Sequence, residues 1–121
     1  LPIFFDRQKK FLVKLAERVD FDLTMLIVGF EGEGELNRDE ALTVGKIVAV
    51  AVGQWLRETD LAFQWLPIGR RFAVLLPATN SAGARLVMRK LKDDISMRLN
   101  VMADRVHLTF EIEELHRRER H

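Results

Sequence analysis

The sequence contains no cysteine among its 121 residues, which excludes disulfide bonds and zinc sites built from thiolates. Its histidines, His107, His116 and His121, lack the spacing of metal ligands, and we expect them to be solvated strand or tail residues. Internal repeats, linkers and low-complexity segments are also missing. The sequence therefore offers no metal or cofactor site and predicts one domain over residues 1–121. Because it begins with Leu1 rather than Met, we expect it to be a piece of a longer protein.

The sequence also has no marked excess of positive or negative charge. The 19 basic and 18 acidic side chains leave a net charge of +1, which argues against general binding to nucleic acids or membrane surfaces. No apolar run reaches the ~18 residues of a membrane span, and the longest, Ile47–Val52, is short. No signal peptide is visible. A cytoplasmic location, without membrane insertion by this segment, is therefore expected.

Hydrophobic periodicity predicts three helices and four strands. The predicted helices span Phe4–Val19, Asn37–Leu56 and a segment that starts at Asn80 or Ser81. The predicted strands span Phe21–Phe30, Leu61–Leu66, Arg71–Leu76 and Val106–Ile112. We expect a flexible acidic loop over Glu31–Glu35 and a frayed or helical end over Glu113–His121.

Several local expectations accompany these elements. Glu40 follows Asn37 by three residues, which predicts a capping box at the start of the second helix. Gly45 and Gly53 in that helix would permit close packing on a sheet. The large aromatic side chains are expected in the core or on a sheet face, because no basic-aromatic strand motif of an RNA-binding sheet accompanies them. These side chains are Trp55, Phe63 and Trp65.

After the leading helix, the order is strand, helix, strand, strand, helix, strand. This is the βαββαβ order of ferredoxin-like α+β folds, in which helices cover a face of an antiparallel sheet. The fold class alone does not give a function.

The most informative motif lies in the predicted hairpin. Residues 66–79 read LPIGRRFAVLLPAT. This run resembles the signature hairpin of GGDEF domains, the diguanylate cyclases, in which Gly-Gly-Asp/Glu-Glu-Phe leads into an apolar strand ending in Leu-Pro-x-Thr. Gly69 and Phe72 match the motif, and so do the strand and its end. The resemblance covers most of the chain and is strongest over Trp55–Ile95, and it implies a GGDEF-type nucleotide cyclase fold.

The resemblance fails at the catalytic positions. Arg70 and Arg71 stand where the family has acidic residues that help to hold magnesium, and a guanidinium cannot be a metal ligand. Gly29 stands where the family's first strand ends in a metal-binding Asp. Ile68 replaces the first signature glycine. The chain is therefore identified as a degenerate GGDEF domain with no catalytic residues and no metal ligands. Arg70 and Arg71 are expected to form a solvated hairpin tip, with an anion or partner site as the alternative.

One family feature is present. Many GGDEF domains carry an inhibitory Arg-x-x-Asp site before the hairpin that binds cyclic di-GMP, and Arg57 and Asp60 match it. The resemblance implies that Arg57 would donate to guanine O6 and N7 or to a phosphate, and that Asp60 would accept from guanine N1 and N2. Arg89 or Lys90, from the next helix, would add a cation. The residues alone favour the alternative that Arg57 is a helix-end residue, stabilised by the helix dipole, and that Asp60 caps the turn into the next strand.

Two functions follow. Degenerate GGDEF domains with this motif can be cyclic di-GMP receptors, as in PelD-type regulators of exopolysaccharide export, so the first is a non-catalytic receptor domain in bacterial signalling and biofilm formation. The second is a pseudo-enzyme module that binds a protein, or its own twin as a homodimer, and no nucleotide. Calorimetric titration with cyclic di-GMP separates them.

Overall fold

A computed structural model describes residues 3–65 and 70–119, with the side chain of Trp65 left out. The expectations for Ile68 and Gly69 in the hairpin, and for His121, lie outside the described residues. The helices are α1 (Ile3–Val19), α2 (Arg38–Trp55) and α3 (Ser81–Leu99), followed by a short 3-10 helix (Asn100–Arg105). The strands are β1 (Leu23–Gly32), β2 (Leu61–Trp65), β3 (Arg71–Pro77) and β4 (Val106–His116).

The strands form one antiparallel sheet with the order β2-β3-β1-β4. This confirms the predicted α+β class and the βαββαβ order. Strand β1 is almost fully buried because it lies in the middle of the sheet with helices on both sides. Its continuous apolar run is typical of such a strand.

Helices α2 and α3 pack together on one face of the sheet, as expected. Alternate residues of β1 and β3 point into this main core, because successive side chains of a strand face opposite sides. The core includes Leu26, Val28, Phe30, Val44, Val48, Val52, Phe72, Val74, Leu91 and Ile95. This layer fixes how the end of α2 and the start of α3 lie beside β3.

Helix α1 covers the opposite face. Phe5 is fully buried there against Met25, Ala73 and Leu75. Its ring meets that of Phe63 edge-on, with centroids 4.9 Å apart. Several large apolar side chains of α1 nevertheless stay exposed, among them Phe4, Phe11, Leu15 and Val19. Within the described residues, no helix combines the length and the apolar character needed to cross a bilayer.

The helix starts agree with the sequence. Asn37 accepts from the backbone N–H of Glu40, and the Glu40 side chain accepts from that of Asn37, so the predicted capping box is confirmed. Asn80 caps α3 by accepting from the N–H of Gly83 at 2.9 Å. Each cap satisfies a donor that the first helical turn leaves without an intrahelical partner.

Three expectations were wrong. Glu31 and Gly32 belong to β1 and not to a loop, because both pair with β4. Strand β4 continues through Glu113 to His116, since Leu115 packs into the α1 layer and the ladder with β1 resumes after a register shift. Gly53 does not serve close packing, because a Cβ there would meet no atom within 4 Å.

Candidate functional site

Arg57 and Asp60 close the turn that follows α2. The helix ends at Trp55, and Leu56 already has an extended backbone. The N–H of Asp60 donates to the carbonyl of Arg57 at 3.0 Å, and the N–H of Arg57 donates to Oδ2 of Asp60 at 2.8 Å. These two hydrogen bonds hold the turn closed. The turn therefore fixes the positions of the backbone atoms from which the side chains of Arg57 and Asp60 extend.

The two side chains also form an ion pair. Arg57 Nη2 lies 2.8 Å from Asp60 Oδ1, and Nε lies 3.1 Å from Oδ2. The Asp60 side chain is only 2% exposed, whereas that of Arg57 is 52% exposed. These bonds are the main cause of a raised pKa of the Arg57 guanidinium, with burial acting the other way.

Residues from the end of β3 hold the other side of the guanidinium. Nη2 donates to the carbonyl of Pro77 and to Oγ1 of Thr79, both at 2.8 Å. Nη1 has no acceptor among the described residues. Arg57 is thus fixed by Nε and Nη2, and it keeps the two N–H donors of Nη1 for another molecule.

An open cleft of about 380 Å³ lies beside this guanidinium. The end of α2, the turn after β3 and the first turns of α3 line it. Lys90 lines the cleft and Arg89 does not, so only one of the two cations expected from α3 lies beside Arg57. The structure therefore brings Arg57, Asp60 and Lys90 to one place.

Asp60 has a different environment from the one expected of a ligand-binding carboxylate. Both of its oxygens accept hydrogen bonds from Arg57, and its side chain is almost completely covered. A guanine could reach these oxygens only by displacing Arg57. This geometry favours Asp60 as the residue that orients Arg57.

The opposite end of the sheet contains the positions matched to the catalytic site. Gly29 pairs with Arg71 on one side and with Thr109 on the other. Arg71 and Pro77 are six positions apart on β3, which corresponds to about 20 Å along a strand. A second cleft, of about 550 Å³, opens here between Arg70, Arg71 and three glutamates. The glutamates are Glu31, Glu35 and Glu111.

The positions of this second cleft that match the family's catalytic residues offer no metal ligands. Gly29 contributes no side-chain oxygen, and Arg70 and Arg71 contribute only donors. A Cβ added to Gly29 would lie 2.6 Å from Oγ1 of Thr109, so even a short side chain requires Thr109 to move. Within residues 3–65 and 70–119, no cluster of three histidine, aspartate or glutamate side chains is arranged to hold a metal ion.

Comparison with solved structures identifies the fold. A DGC protein from Thermotoga maritima superposes with a TM-score of 0.75, at 12% identity, over 92% of this chain and 77% of that protein. The diguanylate cyclase SiaD from Pseudomonas aeruginosa, solved in complex with its activator SiaC, gives a TM-score of 0.73 at 20% identity. The chain has the fold of a GGDEF-type diguanylate cyclase.

The likeness is one of fold, because both identities are low. The match with SiaD covers 95% of this chain but only 46% of SiaD. No family model matches the sequence, and no curated protein is significantly similar to it.

Sequence reasoning missed two parts of the cleft in this GGDEF-like fold. Thr79 and the carbonyl of Pro77 bind Arg57 across 22 and 20 residues of sequence, so spacing along the chain does not reveal them. Ala78 between them has a φ of 54°, in the left-handed region that alanine seldom adopts. Trp55 was also expected in the core or on a sheet face, but it ends α2, is 39% exposed and lines the cleft.

Proposed function

We propose that this chain is a non-catalytic receptor domain that binds cyclic di-GMP in the cleft beside Arg57. The observation that carries the proposal is the guanidinium itself. Asp60, Pro77 and Thr79 hold Nε and Nη2, while Nη1 keeps two donors beside an open cleft. A fixed guanidinium has already lost most of its rotational freedom, so little further entropy is lost on binding.

The free donors suit a guanine or a phosphate. Guanine presents two acceptors, O6 and N7, on one edge, whereas adenine presents an acceptor next to a donor. Lys90, on the same cleft, would place its ammonium against a phosphate oxygen. Asp60 would contribute by orienting Arg57 rather than by touching the nucleotide.

The proposed absence of catalysis rests on the far end of the sheet. Two-metal phosphoryl transfer needs carboxylates that hold the metal ions. The family resemblance expects such carboxylates at three positions, and this chain has Gly29, Arg70 and Arg71 there. These positions supply no carboxylate, and the three glutamates that line this cleft are not grouped as a metal-ligand set in the described part of the chain.

The wider role follows from the same resemblance. The chain would act within a larger cytoplasmic regulator, and its output would be that of PelD-type receptors, exopolysaccharide production. Other domains of that protein, or separate proteins, would read out the bound nucleotide. The fold is compatible with protein partners, since its neighbour SiaD was solved with an activator protein.

Isothermal titration calorimetry with cyclic di-GMP tests the proposal. The unmodified chain should bind with a measurable heat. Arg57→Ala should weaken binding by at least ~10-fold, because one charge-assisted hydrogen bond is worth about 1.5–3 kcal/mol and 1.4 kcal/mol is one decade. Arg70→Ala is the matched control, since it removes an arginine at the other end of the sheet. No binding at high micromolar ligand would refute the receptor function.

A second candidate is a module that binds a protein, or a second copy, and no nucleotide. The apolar stripe on the outer side of α1 favours it: Phe4 is 62% exposed, Phe11 60% and Val19 63%. Lines of large exposed apolar side chains often mark interaction surfaces. Sedimentation equilibrium of the chain and of Phe11→Ser would test self-association, and concentration-independent monomers would exclude the homodimer.

A further inference from the structure

Trp55 is an exposed indole beside the free donors of Arg57. It is the last residue of α2, it precedes Arg57 by two positions, and both side chains line the same cleft. With 39% of its surface accessible, it differs from the buried aromatic residues of the core, such as Phe5 and Phe30. A large flat ring at the edge of an open cleft is a surface on which another ring can stack.

Hydrogen bonds fix the orientation of this ring. Its Nε1 donates to Oδ2 of Asp94 at 3.1 Å, and Oδ1 of Asp94 accepts from Nε of Arg98 at 3.0 Å. Arg98 in turn donates from Nη2 to Oε1 of Gln54 at 2.7 Å. The chain of bonds runs from α2 to α3 and back, so the indole is held at both its backbone and its nitrogen.

A cation lies against the same ring. Lys90 Nζ is 5.4 Å from the centroid of Trp55, within the range of a cation–π contact. Lys90 has no carboxylate partner among the described residues, so its ammonium can turn toward a phosphate while its stem stays near the indole. The cleft therefore combines a flat apolar surface, a fixed guanidinium and a movable ammonium.

We propose that Trp55 is the stacking surface for a purine base of the nucleotide bound in this cleft. The proposal rests on the proposed receptor function and adds the residue that holds the base plane. Every base has a π face, so the stack on Trp55 contributes affinity without choosing the base. The choice of guanine comes from the free Nη1 of Arg57, which can donate to O6 of guanine only when the base lies in a fixed plane, whereas adenine presents a donor at that position.

The first test uses the emission of Trp55 without changing it. Trp65→Phe leaves Trp55 as the single tryptophan of the 121-residue chain. Titration with cyclic di-GMP should then quench its fluorescence in a saturable manner, because a base stacked on an indole quenches it. The midpoint should equal the dissociation constant from calorimetry on the same variant. Binding heat with unchanged emission would overturn the proposal.

The second test measures affinity. Trp55→Leu should weaken binding of cyclic di-GMP by roughly 5- to 150-fold, the range for loss of one base–aromatic stack. Trp55→Phe keeps a ring and loses the bond to Asp94, so its affinity should lie between those of Trp55→Leu and the unmodified chain. Circular dichroism and urea unfolding check the fold of each variant.

The outcomes separate this inference from the function on which it rests. If the unmodified chain binds no cyclic di-GMP, the receptor function fails and the stacking role fails with it. If Arg57→Ala loses binding but Trp55→Leu binds as the unmodified chain does, the receptor function stands and the stacking role is wrong. If both variants lose affinity, and the emission of Trp55 is quenched, both are supported.

Discussion

The pair of Arg57 and Asp60 makes a strong prediction about folding, independent of any ligand. Asp60→Ala removes the acceptor of the Arg57 backbone N–H and two bonds to the guanidinium. Hydrogen bonds that involve a charged group contribute about 1.5–3 kcal/mol each, and exposure of Arg57 reduces its share. We expect Asp60→Ala to lower the free energy of unfolding by about 2–4 kcal/mol.

Arg57→Ala acts differently, because it leaves a covered carboxylate whose remaining bond comes from the backbone N–H of residue 57. We expect a loss of about 2 kcal/mol. Once one partner is gone, removal of the other should cost less, so the double variant should be more stable than the sum of the single effects predicts. The expected coupling is about 1–2 kcal/mol.

Urea unfolding followed by circular dichroism measures all four proteins of this cycle. Equal m-values would show that each variant unfolds from a native state of the same compactness. Additivity within about 0.5 kcal/mol would mean that the ion pair does not hold Arg57, and the reasoning about a fixed guanidinium would then be wrong.

Binding measurements with two cyclic dinucleotides distinguish between the two possible roles of Asp60, which are to orient Arg57 and to contact guanine. Cyclic di-IMP lacks the exocyclic amino group of guanine that a carboxylate would bind. If Asp60 only orients Arg57, Asp60→Asn should weaken binding of cyclic di-GMP and of cyclic di-IMP by the same factor. A loss seen only with cyclic di-GMP would show direct contact with guanine.

Other predictions concern catalysis, the second cation and pH. No GTP should be converted to cyclic di-GMP with magnesium or manganese, since Arg70 and Arg71 cannot hold a metal ion. Turnover above a no-protein control would contradict this prediction if mutation of Arg70 or Arg71 abolished it. Lys90→Ala should weaken cyclic di-GMP binding in calorimetry, whereas Arg89→Ala should not, because only Lys90 lines the cleft. The pKa of Glu40 is lowered, chiefly by the backbone N–H at the start of α2, so its contribution to stability is present above its unfolded pKa and is lost as pH falls through its folded pKa. Glu40→Gln should therefore flatten the fall of the urea midpoint below about pH 5, and an unchanged slope would exclude this source.

The fold was largely predictable because the local signals agree with the global structure. Asn37 and Glu40 satisfy each other as the spacing requires, and the apolar run of β1 lies in the middle of the sheet. The end of β4 was not predictable, because it is mostly charged and only Leu115, which is half-buried, packs against the core beneath α1. Its pairing with β1 depends on a register shift that no local pattern encodes.

The site was predictable only in part. The three-residue spacing of Arg57 and Asp60 at a helix end predicts that they can meet, and they do. The set of Arg57 nitrogens that remain free depends on Pro77 and Thr79, which accept hydrogen bonds from Nη2. These two residues are distant in sequence and come close to Arg57 only in the folded chain. The exposure of Trp55 has the same origin, since the ring follows the hydrogen bond to Asp94 on α3.

The close approach of Gly29 and Thr109 couples position 29 of β1 to position 109 of β4. A side chain at residue 29 would place its first carbon 2.6 Å from Oγ1 of Thr109, so a residue larger than glycine at position 29 requires the Thr109 side chain to move. An aspartate at position 29 would therefore have to share its space with the Thr109 side chain on the neighbouring strand. Substitutions on β1 and β4 are thus coupled at this end of the sheet, and a carboxylate at position 29 should be better tolerated when position 109 carries a smaller residue.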